Sequence, residues 1–209
     1  NIAGAGGVDT ITGGDGADDI DVGDSDGAND TVVYASASDG GAANAETGED
    51  IISNFEGGND KIGVTETFEN ALGDGADDDT DINVLDDVAQ GGIDSTGGGT
   101  DDTEVVILDG SDNATLTFDD LDSLTAVQDA VGNVNMDSGD EFLLAINSTS
   151  GGDQTGGTED GFGLYHVKAT TGITDAKLDN GANADVSILG ISNDAVDFGT
   201  SNVDTTAIA

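Results

Sequence analysis

The chain has 209 residues and carries 45 acidic side chains against 3 lysines and no arginine, a formal charge of −42 at neutral pH. Such a surface repels phosphates, which excludes nucleic-acid binding through a basic patch and disfavours anionic membranes. There is no cysteine and His166 is the single histidine, so disulfides and thiolate metal sites are absent, and a zinc site or a serine–histidine–aspartate triad is poorly supplied.

Leu, Ile, Val and Phe together number 47 of the 209 residues. That lies just above the roughly 20 % below which highly charged chains stay disordered. A core can form if the carboxylates are kept apart or neutralised by cations, and calcium, a hard ion that prefers oxygen ligands, is the natural counter-ion. The 34 glycines and the lack of proline point to turn-rich structure. No run approaches the ~20 apolar residues that span a bilayer, so membrane insertion is not expected. The chain starts at Asn1 without a methionine or a charged-then-apolar leader, and reads as a C-terminal piece of something longer.

The first thirty-odd residues repeat. Gly4-Ala5-Gly6-Gly7-Val8-Asp9-Thr10-Ile11-Thr12 aligns over Gly13-Gly14-Asp15-Gly16-Ala17-Asp18-Asp19-Ile20-Asp21, with aspartate sixth and isoleucine eighth. Val22-Gly23-Asp24 interrupts the period. Ser25-Asp26-Gly27-Ala28-Asn29-Asp30-Thr31-Val32-Val33 then restores aspartate to the sixth place. Six residues of each unit make a turn in which glycine permits positive φ and exposes carbonyl oxygens. The next three make a short strand with one inward apolar side chain: Ile11, Ile20 or Val32. Stacked turns bring an aspartate carboxylate and backbone carbonyls from neighbouring coils to one oxygen-only site, which suits calcium and not zinc or copper. Without the ion the stacked carboxylates repel, so binding and folding are expected to be coupled.

These units resemble the glycine-rich nonapeptide of the RTX family, whose repeats form a calcium-bound parallel β-roll. The segment Glu49-Asp50-Ile51-Ile52-Ser53-Asn54-Phe55-Glu56-Gly57-Gly58-Asn59-Asp60-Lys61-Ile62 resembles the closing segment of such rolls in serralysin-type proteases and bacterial surface-layer proteins. The resemblance covers residues 1–64. It implies calcium ligation by Asp9, Asp18, Asp30, Asp50 and Asp60, with backbone from Gly4, Gly6, Gly13, Gly14 and Gly16, and an interior capped by Ile52, Phe55 and Ile62. An acidic residue often follows the final isoleucine in that pattern; here it is Gly63. Asp24 and Asp26, in the interruption, read equally well as ligands or as solvent-facing carboxylates. The bland reading of Asp9, Asp18 and Asp30 is solvated turn aspartates, and the repeat with its closing segment outweighs it.

Beyond residue 64, Phe68–Leu72 suits a helical turn. The acidic loops over 74–81 and 101–102 read as solvated faces. Val105–Leu108 and Ala114–Phe118 read as strands around a turn at 109–113. Asp119 and Asp120 are placed to cap a helix with Leu121, Leu124, Val127 and Val131 on one face, stopped by Gly132. Glu141–Ile146, Gly163–Val167 and Val186–Ile191 read as strands. Their order resembles the terminal domain of type I-secreted RTX proteins, which implies an export signal near Phe198–Ala209. His166 reads as a partly buried structural histidine rather than a catalytic base, and Lys61 as an offset to local acid charge.

The fold expected is all-β: a short calcium-bound parallel β-roll over 1–64, then a β-rich, sandwich-like domain with one helix over 65–209. No catalysis is expected. Carboxylate pairs abound by chance in so acidic a chain, and 4 % aromatic residues leave little sugar-stacking surface. A salty habitat would explain the acid excess but not the nine-residue phase. The expected function is calcium-dependent self-assembly of a secreted bacterial cell-surface, S-layer-like protein, with copies of itself and cell-surface polysaccharide as partners. The alternative is a monomeric calcium-triggered folding and type I export module of a large adhesin or exoenzyme.

Overall fold

The computed structural model describes residues 1–23, 26–72, 82–85, 93–94, 105–108, 116–148, 161–194, 198–204 and 208. Asp24 and the acidic loops at 74–81 and 101–102 lie outside the described residues.

Six short strands come first: β1 (Ile2–Ala3), β2 (Thr10–Ile11), β3 (Asp19–Asp21), β4 (Thr31–Tyr34), β5 (Asp50–Ser53) and β6 (Lys61–Val64). The chain alternates between two parallel sheets, placing β1, β3 and β5 in one and β2, β4 and β6 in the other. Register stacks Ile2 on Ile20 on Ile52 in the first sheet, and Ile11 on Val32 on Ile62 in the second. Ile11, Ile20, Val32, Ile52 and Ile62 are all buried in one core, together with Phe55. One apolar side chain per three-residue strand is therefore enough, because each coil buries its own against the next.

The rest of the described chain comprises α1 (Glu66–Glu69), β7 (Ile82–Leu85), β8 (Ile93–Asp94), β9 (Val105–Leu108), α2 (Leu124–Val131), β10 (Asn133–Met136), β11 (Glu141–Asn147), β12 (Phe162–Ala169), β13 (Ile173–Lys177) and β14 (Ala184–Ser192). β5 pairs in parallel with β14, which carries the first sheet on into an eight-stranded one ordered β1-β3-β5-β14-β12-β11-β9-β7. β13, β10 and β8 form a further small sheet. The fold is β-rich, with both parallel and antiparallel pairing.

Side chains alternate across the large sheet with the period of two that a strand imposes. Phe142, Leu144 and Ile146 of β11 enter a core with α2, β10 and β13, whereas Leu143 and Ala145 enter the core that also holds Ile20, Ile52 and Phe55. The large sheet thus has the helix on one face and the coil's second sheet on the other.

Three local expectations shift. Leu124, Val127 and Val131 are buried on α2 and Gly132 ends it with φ 73°, but Leu121, also buried, lies before the helix at the end of a 3-10 turn, and the cap is Ser123, whose Oγ accepts the Ala126 N–H. Asp120 instead accepts the backbone N–H and hydroxyl of Thr117 at 2.9 and 2.7 Å, which closes a 3-10 turn over Phe118–Asp120. That turn replaces the end of the strand expected over 114–118; residues 109–115 lie outside the described residues. The helical turn expected over 68–72 starts earlier, at Glu66, because Thr65 caps it.

Candidate metal centre

The repeat aspartates do not stack on their immediate neighbours in the repeat. Alternate ones stack, because consecutive nine-residue units belong to opposite sheets. Asp9, Asp30 and Asp60 precede β2, β4 and β6 and form one column; Asp18 and Asp50 form the other. In each column a backbone N–H donates to the carboxylate of the next coil: Asp9 to Asp30 Oδ1 at 2.7 Å, Asp30 to Asp60 Oδ1 at 3.0 Å, and Asp18 to Asp50 Oδ1 at 2.9 Å. The backbone carbonyls of Asp9, Asp30 and Asp18 accept in return, from the N–H groups of Thr31, Lys61 and Ile51 respectively. Sequence separations of 21, 30 and 32 are absorbed in the turns, so insertions leave the columns in register.

The carboxylates are unusually buried. Asp30, Asp50 and Asp60 are 5 %, 0 % and 1 % exposed. Asp50 Oδ2 and Asp9 Oδ2 are buried and have no hydrogen-bond partner. Asp50 Oδ2 and Asp18 Oδ2 lie 3.1 and 3.2 Å from the place a Cβ on Gly13 would take. Asp9 Oδ2 and the Val22 carbonyl oxygen lie 3.1 and 2.5 Å from the corresponding place at Gly4. Both glycines leave room beside these oxygens, with the Ile20 Cδ1 methyl closing the Gly13 space at 3.3 Å. Gly14 and Gly16 serve differently, turning the chain at φ 87° and 98°. Asp26 is exposed and accepts the Gly7 and Ala28 N–H groups, both at 2.8 Å, which hold its carboxyl below the usual range. A Cβ on Gly6 would meet Asp26 Oδ2 at 3.5 Å, an ordinary contact.

Burial pushes the Asp50 carboxyl up to about 7, and the charges of Asp18 and Asp39 add to the shift, while the Asp18 N–H opposes it. Burial also raises Asp60, helped by Asp30 and Glu56 against two backbone N–H donors. An ionised carboxylate without a counter-charge is costly in such a setting. The basic side chains among the described residues do not supply one: Lys168 and His166 are bonded to Glu141, Lys177 pairs with Asp129, and Lys61, beside Thr31 on the adjacent strand, makes no ion pair. Asp18 Oδ1 is 3.9 Å from the backbone amine of Asn1.

Among the described residues no three acidic or histidine side chains converge on one point. The carboxylates meet in pairs, and further ligands would have to come from the backbone, as the Val22 carbonyl does beside Asp9. Hard oxygen donors of this kind fit calcium.

Three further residues of the coil and its flank were not legible in the repeat. Tyr34 is buried, with its hydroxyl beside Asp50. Asp39 is buried in the β4–β5 loop, accepting the Ala35 N–H at 2.6 Å and the Ser36 hydroxyl at 2.7 Å. Asp194, past β14, accepts the Phe55 N–H at 2.7 Å. None follows the nine-residue phase. His166, outside the site, is buried, with Nε2 2.9 Å from Glu141 Oε2 and its ring against Phe68.

The chain matches no protein-family model, no curated protein and no solved structure.

Proposed function

We propose that this chain is a calcium-folded structural region of a secreted bacterial cell-surface protein, its first sixty-four residues forming a calcium-bound parallel β-roll. The observation that carries the reading is the pair of carboxylate columns, in register across the coils, with buried and unpartnered oxygens at Asp50 and Asp9. A cation between Asp18 and Asp50, and another beside Asp9 and the Val22 carbonyl, would neutralise charge that no lysine reaches. Extracellular calcium modules bind at about 0.1–1 mM, and a hundredfold excess of ion over its dissociation constant adds ~2.7 kcal/mol per site. The chain would be exported unfolded at low calcium and fold outside the cell.

Two forms of this reading share the site. In the first the folded chain assembles with copies of itself into an S-layer-like array that contacts cell-surface polysaccharide. In the second it remains a monomeric folding and export module of a larger adhesin or exoenzyme. The edges of the coil favour the second. β1 and β2 offer only two residues each, and the free side of β6 is covered by bridges from Ile62 to Val203 and from Thr65 to Ile208. Short or covered edges template little pairing with another chain.

A calcium titration of the purified chain, followed by circular dichroism and light scattering together, tests both. Folding with growth into large particles that a chelator reverses supports assembly. Folding without growth supports the monomeric module. No response in either signal overturns the calcium reading.

A further inference from the structure

Resting on the reading of Asp18 and Asp50 as a cation site, we propose that the Tyr34 hydroxyl is a further oxygen ligand of that ion, a neutral donor that the nine-residue repeat does not supply. The column of Asp18 and Asp50 has a third position. Asp19 pairs with Ile51 and Ile51 with Ile191, so Asp18, Asp50 and Gly190, each one residue earlier, stand at the same level of neighbouring strands. Gly190 brings no side chain to its place. The Tyr34 hydroxyl, arriving from β4 in the facing sheet, fills it: a Cβ on Gly190 would collide with that oxygen and would press on Ile52 Cδ1 at 3.2 Å. Asp50 and Ile52 are the buried, alternating residues of β5, so the hydroxyl stands on the side of the sheet to which the Asp50 carboxylate points.

The chemistry of the hydroxyl supports the assignment. Tyr34 is 1 % exposed and Asp50 0 %, and neither the Tyr34 hydroxyl nor Asp50 Oδ2 has a hydrogen-bond partner. The ring lies in the apolar core that also holds Val32, Ile52 and Val64, where a phenylalanine ring would be buried equally. A hydroxyl left unpaired in such a place only costs stability. A cation at Asp50 satisfies it. Burial, and then the charges of Asp50 and Asp39, hold the phenol well above its usual range, so it stays protonated and offers the ion a lone pair without adding charge. Calcium takes about six to eight oxygens, more than two carboxylates offer. Neutral hydroxyl and carbonyl oxygens enlarge the set without adding repulsion between ligands.

The test uses the full chain with calcium and with terbium, a luminescent ion that takes the same oxygen ligands. Calcium affinity by calorimetry should fall about three- to tenfold in Tyr34→Phe. The deciding readout is the number of waters on bound terbium, taken from luminescence lifetimes in light and heavy water under direct excitation of the ion. Summed over its bound ions, Tyr34→Phe should carry one more water than the native chain. Tyr165→Phe, which removes the other tyrosine hydroxyl, bonded to the Leu121 carbonyl, should carry no more. In Tyr165→Phe, Tyr34 is also the sole tyrosine of a chain without tryptophan, so exciting tyrosine must light bound terbium through it. A dark ion there overturns the proposal whatever Tyr34→Phe does. An unchanged water count in Tyr34→Phe, with or without weaker binding, overturns it as well and leaves the cation site standing, the hydroxyl then only bonding to Asp50. Absence of any uptake of either ion by the native chain removes the site and the ligand together.

Discussion

Asp18 and Asp50 are 32 residues apart in sequence, and the N–H of the first donates to the carboxylate of the second at 2.9 Å while their remaining oxygens close on Gly13. The contact ties the second glycine-rich unit to the first strand after a long loop. It also gives the most buried carboxylate of the coil a second negative neighbour.

Gly13 has no positive φ, so alanine there tests space rather than backbone conformation. Its methyl group would stand within 3.1–3.2 Å of both carboxylate oxygens. Gly13→Ala is expected to weaken calcium binding by more than about tenfold, equivalent to ~1.4 kcal/mol. Isothermal calorimetry on the variant checks this, and affinity equal to that of the native chain would remove Gly13 from the site.

The pH dependence without calcium follows from Asp50. Its carboxyl is raised to about 7 in the folded chain against an ordinary value of 3.8. A group raised on folding contributes stability that is fully present below its unfolded value and lost as pH rises through the folded one. The calcium-free chain should therefore gain stability between pH 8 and pH 5. Calcium binding near pH 6.5 should release a proton, because the ion takes the ionised form. Thermal melts in chelator across that range, and calorimetry in buffers of different ionisation enthalpy, measure the two effects. A melting temperature that falls as the pH drops from 8 to 5 would contradict the assignment.

Glu141 has the opposite sign. Burial alone would raise it, but hydrogen bonds from His166 and Lys168 hold its carboxyl below the usual range. Its contribution is present above the unfolded value and lost as pH falls through the folded one. Glu141→Gln should cost about 1–3 kcal/mol at neutral pH, with or without calcium, because it leaves the Lys168 ammonium facing a neutral amide and takes from the buried His166 its carboxylate partner. At roughly 2–4 °C per kcal/mol for a chain of this size, the loss is readable in a thermal melt.

The cap of α2 separates two aspartates from one serine. Ser123 Oγ accepts the Ala126 N–H at 3.4 Å, and Glu46 Oε1 accepts the Leu124 N–H at 3.1 Å from the β4–β5 loop. Ser123→Ala should cost ~1 kcal/mol in denaturant unfolding. Asp119→Ala, at the residue that sequence pattern alone favours as a cap, should be nearly silent.

Much of this was readable in the chain. The nine-residue phase marks which side chains enter the coil, since one isoleucine or valine per unit can satisfy a stack whose strands are three residues long. Ile11, Ile20 and Val32 are all inside. The apolar runs at 141–146, 163–167 and 186–191 became β11, β12 and β14, because a strand buried on both faces needs nearly continuous apolar sequence. The helix face of Leu124, Val127 and Val131 followed from its period. Short strands such as β10 and β13, polar and only half apolar, carry no comparable signal; their pairing partners supply the order.

Sequence by itself determined that aspartate recurs at the turn before each strand, and that only oxygen donors would be at hand. Tertiary structure alone decided which aspartates meet. Alternation between two sheets pairs every second unit, so Asp9 finds Asp30 and Asp18 finds Asp50, and the neighbouring units of the repeat never touch through their carboxylates. It also brought Tyr34 of β4 and Ile52 of β5 against Gly190 of β14. No local pattern could announce that meeting, because backbone pairing across more than a hundred residues, between β5 and β14, creates it.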